Sequence, residues 1–69
     1  MSAAARRYFE AIVQRYLDSN SPERKDWLFD GGQVSDTHRE LEADGLIERV
    51  FGTERGFAWR LTDTAVRAR

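Results

Sequence analysis

The chain has no cysteine, one proline and one histidine among its 69 residues, and each scarcity removes a class of explanation. Without cysteine there is no disulfide, thiolate metal site or thiol nucleophile, and the composition suits a reducing cytoplasm, the compartment expected here. His38 is the lone imidazole. With no serine nucleophile beside a base and no carboxylate pair that spacing forces into one cleft, catalysis has no footing, and a binding module without cofactor or metal is expected. No apolar run approaches the roughly 18 residues of a membrane span, and the N-terminus lacks the apolar core of a signal peptide, so no membrane partner is expected. Charge of one sign is also missing: 11 basic against 12 acidic residues leave a net charge of −1, without the basic field that nucleic-acid proteins usually display.

What is present is regular. Aromatic residues make up 12% of the chain and the apolar residues are regularly placed, which argues against disorder. The length suits one domain, residues 1–69, burying only about 60% of its unfolded surface, so homodimerisation is a plausible further source of stability. Ten of the eleven basic residues are arginine, the side chain suited to bidentate phosphate and guanine contacts, although a GC-rich genome also favours arginine. Met1 reads as the start of a small gene product.

Periodicity predicts the elements. Phe9, Ile12, Val13, Tyr16 and Leu17 recur at helical spacing and predict a helix over 2–18. Ser21-Pro22 is a cap and first-turn pair, with Glu23 favourable behind it, so a second helix is expected over 22–29, carrying Trp27, Leu28 and Phe29. Asp30-Gly31-Gly32-Gln33 is the turn between helices. Ser35 caps a third helix over 35–44, whose inner face is Val34, His38 and Leu41, and Gly45 stops it in the left-handed conformation. Leu46–Phe51 and Phe57–Thr62 read as a hairpin around Gly52 to Gly56, with Trp59 and Leu61 facing the core opposite Ile47. Thr62 begins a short C-terminal turn or helix. A partly buried His38 is expected to have its pKa lowered below about 6.5.

Val34-Ser35, Leu41-Glu42, Gly45-Leu46-Ile47-Glu48-Arg49, Arg55-Gly56 and Trp59-Arg60-Leu61-Thr62, in that order and with those gaps, resemble the winged helix-turn-helix domains of small prokaryotic and phage transcription regulators of the MarR, PadR and ArsR types. His38 departs from the pattern, standing where the family's recognition helix has a buried leucine. The resemblance implies an α+β fold: three helices followed by a two-stranded antiparallel wing and a short C-terminal turn or helix. It also implies double-stranded DNA as partner. The third helix would enter the major groove, with Arg39 toward guanine and Ser35 and Thr37 toward phosphate or a base edge. Arg24 and Lys25 would anchor the backbone, Arg55 would enter a minor groove from the wing tip, and Arg49 and Arg60 would hold flanking phosphates.

Asp36 and Glu40 on the reading face are repelled by phosphate unless they accept from cytosine or orient a neighbouring arginine. That acidity keeps a second expectation open: a winged helix that binds protein, through Tyr8, Phe51 and Phe57 if these are exposed. The chain stops at Arg69, where longer regulators of this type begin a dimerisation helix, so no small-molecule effector is expected.

Overall fold

The computed structural model describes residues 1–20, 23–54 and 56–67. Helix α1 (Ala3–Asp18) opens on Ser2, whose hydroxyl accepts from the Ala5 N–H at 3.1 Å, and buries Ala5, Ile12 and Val13. Of the expected stripe, Phe9 and Tyr16 pack partly buried against the core, whereas Leu17, expected within it, is exposed. A 3-10 turn (Arg24–Asp26) leads into strand β1 (Leu28–Phe29), and helix α2 (Asp36–Ala43) follows a loop. Strands β2 (Ile47–Thr53) and β3 (Gly56–Leu61) form the hairpin, and α3 (Asp63–Arg67) closes the described chain. The result is an α+β fold with three helices and a three-stranded antiparallel sheet of order β1-β3-β2.

Two expectations are corrected. The helix expected over 22–29 does not form: only Arg24–Asp26 turn, and Leu28–Phe29 are extended, so the third helix of the molecule is the C-terminal one. The wing is accordingly not a two-stranded unit, because β1 adds to it, with Leu28 opposite Arg60 and Phe29 opposite Trp59. The reason is the period of the apolar residues. Trp27 and Phe29 contact each other on one side, ring centroids 5.4 Å apart, while Leu28 between them is 41% exposed. That is the alternation of a strand, and aromatic side chains fit a pleated surface better than a helix with no apolar stripe to bury. Arg24 reinforces it by donating to the Leu61 carbonyl at 2.8 Å, drawing the 3-10 turn onto the end of β3. Ser21-Pro22, the expected cap of that helix, lies outside the described residues.

The join between α2 and the hairpin is as expected. Gly45 has φ +75°, its N–H donates to the Glu42 carbonyl, and the Leu46 N–H donates to the Leu41 carbonyl, both at 3.0 Å. This pair of bonds satisfies carbonyls the helix end leaves open, and only a residue tolerant of positive φ can sit at the turn. Thr62 then ties the far end of the hairpin back to this turn: its N–H donates to the Leu46 carbonyl at 3.1 Å and its hydroxyl donates to the Gly45 carbonyl. The same hydroxyl accepts from the Ala65 N–H and starts α3. The core between helices and sheet holds Ile12, Val13, Phe29, Leu41, Leu46, Ile47, Trp59 and Leu61, and Ile47 lies opposite Leu61 as expected. Among the described residues no helix is long and apolar enough to cross a membrane.

If the two residues of β1 form a strand with one buried face, truncating them has unequal effects. Phe29→Ala, at a side chain 3% exposed, costs about 3–5 kcal/mol, whereas Leu28→Ala stays within about 0.5 kcal/mol in urea unfolding. Equal losses at both positions would argue for a helical packing of this segment.

Candidate functional site

Helix α2 and the hairpin are clamped together by one guanidinium. Arg49, on β2, donates from Nε to Glu42 Oε2 at 3.0 Å and from Nη2 to Glu42 Oε1 at 3.2 Å, a two-pronged contact across the Gly45 turn. Its carbon lies 5.0 Å from the ring centroids of both Phe57 and Trp59. The charge is therefore satisfied on one side by a carboxylate and on the other by two aromatic faces. With the helix fixed to the strand in this way, the opposite face of α2 remains exposed at Ser35, Asp36, Arg39 and Ala43, with Thr37 half-buried.

On the inner face of α2 is His38, 4% exposed, the buried polar residue of the core among the described residues. Its ring stacks on Trp59 with centroids 5.2 Å apart and an interplanar angle of 11°, and meets Tyr8 edge-on at 5.1 Å. Nδ1 accepts from the Ser35 backbone N–H at 3.1 Å, and since a backbone N–H can only donate, the neutral ring carries its proton on Nε2. Nε2–H then donates to the Tyr8 hydroxyl at 2.9 Å. Burial, with the Arg49 charge adding to it, lowers the His38 pKa below its ordinary 6.5, in the expected direction. Burial likewise raises the Tyr8 pKa, with Arg15 opposing and Asp30 adding to the rise.

Ser35 lies 2.8 Å from Nδ1 through its hydroxyl, a serine–imidazole contact that sequence spacing did not single out. Both groups are engaged in capping, however. The hydroxyl accepts from the His38 N–H at 3.3 Å while Nδ1 takes the Ser35 N–H, so the pair closes the first turn of α2. Gly31 passes so near the ring that a Cβ there would lie 2.2 Å from Nε2, which explains a glycine at a position without positive φ.

The other predicted site residues divide into two groups. Arg24 is engaged internally, to Asp63 at 2.8 Å and Glu48 at 3.5 Å besides the Leu61 carbonyl. Arg60 donates to Glu48, its cross-strand neighbour, at 2.8 Å and to the Lys25 carbonyl at 3.4 Å. Lys25 is exposed and 3.3 Å from Glu23. Arg39 is exposed and held 3.1 Å from Asp36 one turn away. Ser35, Thr37 and Arg39 share α2, whereas Arg24, Lys25 and Arg60 gather at the β1 end of the sheet, and Arg55 lies outside the described residues. Phe51 is 73% exposed beside a half-buried Phe57, ring centroids 6.0 Å apart, and Tyr8 is half-buried against His38.

No family model, curated protein or solved structure matches the chain. Among the described residues no cluster of three histidine or carboxylate side chains stands together as metal ligands.

Arg49 and Arg39 are both arginines of the predicted site, but their surroundings assign them different work. Arg49→Ala removes a two-pronged ion pair and two ring contacts and lowers stability by about 1–2 kcal/mol, a fall in Tm of several degrees in a domain of this size. Arg39→Ala removes one exposed pair within a helix and leaves Tm within about a degree or two. Differential scanning calorimetry of the two variants distinguishes a holding residue from a presented one.

Proposed function

We propose that the chain is a non-catalytic DNA-binding module of winged-helix type that reads duplex DNA with α2. The observation that carries this reading is the outward face of α2, left exposed while the helix is held to the hairpin by Arg49 and Glu42. An α-helix with its side chains is about 10–12 Å across, which the roughly 12 Å width of the major groove admits. Arg39 is the residue presented to a guanine edge. Asp36, 3.1 Å from it, orients the guanidinium as carboxylates do for bidentate contacts, and Ser35 and Thr37 flank it at the start of the helix.

The backbone contacts are fewer than the sequence expectation. Arg24, Arg49 and Arg60 serve the fold, which leaves Arg39 on α2 and the exposed Lys25 as the predicted cations among the described residues, with Arg55, outside them, as the third. With at most about three phosphates neutralised, the logarithm of the binding constant falls with the logarithm of salt at a slope no steeper than about −3.

A second reading has its own observation. The exposed Phe51 on β2 and the excess of acid in α2, Asp36, Glu40 and Glu42 against Arg39, suit a protein partner better than a polyanion.

Fluorescence anisotropy with a labelled mixed-sequence duplex, from about 50 mM salt upward, separates the readings. The DNA reading expects saturable binding with the shallow slope above, and Arg39→Ala weakening it by about 1–3 kcal/mol at a preferred site. Absence of binding at the lowest salt, or binding indifferent to Arg39, sinks it in favour of the protein partner.

A further inference from the structure

One buried group connects four separate parts of the chain, and its hydrogen bonds depend on where its proton sits. His38 receives the backbone N–H of Ser35, donates to Tyr8 of α1, stacks on Trp59 of β3 and lies against Gly31 in the loop between β1 and α2. We propose that His38 is an acid-released latch: the neutral ring, protonated at Nε2, holds the 30–34 loop and the first turn of α2 against α1 and the sheet, and a second proton at Nδ1 releases them.

The geometry supplies the mechanism. The Ser35 N–H and Nδ1 are 3.1 Å apart, and a backbone N–H cannot reverse its role. A proton on Nδ1 places two donors face to face, so the cap residue loses its acceptor. The Ser35 hydroxyl, 2.8 Å away, can turn to accept from Nδ1, but it cannot serve the Ser35 N–H as well. Nε2–H continues to donate to Tyr8, so the ring stays tied to α1 while the cap moves away from it.

The charges around the ring favour release over tolerance. From β2, Arg49 acts on it as a like charge. Trp59 offers a ring face that attracts cations, but Arg49 already lies 5.0 Å from that centroid. From α1 the titratable neighbour is Tyr8, neutral in this range, and from the loop Asp30 acts on Tyr8. On α2 itself, Glu42 is engaged by both prongs of Arg49 and Asp36 by Arg39.

The sign follows from linkage. The folded chain holds His38 neutral more strongly than the unfolded chain does, so the unfolded or opened form binds more protons. The latch is fully closed above the ordinary pKa of 6.5 and opens as pH falls from there through the lowered folded value. Within that window the opening constant rises by up to about tenfold per pH unit.

The experiment uses the full chain labelled with nitrogen-15, between about pH 5 and 8, where surface carboxylates stay ionised. Long-range proton–nitrogen spectra report the ring tautomer and its titration. Amide hydrogen exchange, corrected for its intrinsic pH dependence, reports opening. The latch requires the Nε2–H tautomer at neutral pH and an acid-induced loss of protection at the bonded amides of Ser35 and His38 that follows the ring's own titration. Ile12, Val13 and Trp59 keep their protection. His38→Gln, which can accept from the Ser35 N–H without titrating, abolishes the pH response. The Nδ1–H tautomer, constant protection through the titration, simultaneous opening of the whole core, or the same response in His38→Gln would each overturn the proposal. The wild-type measurements decide it even if the variant fails to fold.

Discussion

The imidazole of His38 occupies the place where an all-hydrocarbon core would put a leucine, and much of the surrounding structure is arranged to accommodate it. An unpaired buried polar group costs a few kcal/mol, so both ring nitrogens need partners and the elements that supply them must come within about 3 Å. One partner is the cap of its own helix and the other is Tyr8 on α1. The ring faces need apolar cover, and Trp59, 1% exposed, provides it from the centre of the sheet. The loop before α2 then passes through Gly31 because no side chain fits there. A leucine would have packed against any apolar neighbour; the histidine specifies which neighbours and at what angle. A buried polar group whose partners are all in place specifies one arrangement of its neighbours.

Arginine follows the opposite economy to the one its abundance suggests. Ten arginines in so short a chain look like a phosphate-binding surface. Three of them instead join elements that a small core would hold weakly: Arg49 joins β2 to α2, Arg60 joins β3 to β2 and to the 3-10 turn, and Arg24 joins the 3-10 turn to β3 and α3. The planar fork suits this role because one side chain can satisfy a carboxylate and a carbonyl together. Each such contact is partly solvated and individually modest, so their value lies in fixing geometry more than in total stability. The cost to function is that guanidinium groups engaged in this way are withdrawn from any ligand, leaving Arg39 as the basic residue displayed on α2.

Much of the local structure is readable along the chain. The helical stripe of α1 up to Tyr16, the Ser35 cap, the glycine turn at Gly45 and the apolar alternation of β3 each rest on neighbours within one or two turns, and these features stand where they were expected, Leu17 at the exposed end of α1 excepted. The segment 22–29 departs from the expected helix because three consecutive apolar residues suit a short helix or a strand equally well until a partner strand is in place. The partner, Trp59 and Arg60, lies some thirty residues further on. The arginine contacts were illegible for the same reason: a carboxylate that neutralises a given guanidinium is one of twelve in the sequence, and spacing does not choose among them.

By itself, then, the sequence determined the periodic elements and their ends, the absence of thiol chemistry, and a helix–glycine–hairpin order, because these depend on backbone preference and on side chains close along the chain. Only the tertiary structure decided that Leu28–Phe29 extend as an edge of the sheet, that Arg24, Arg49 and Arg60 turn to internal carboxylates, and that Tyr8 meets His38. Those outcomes depend on contacts between residues far apart in sequence, and they exist only once loop closure has brought such residues within a few ångströms of each other.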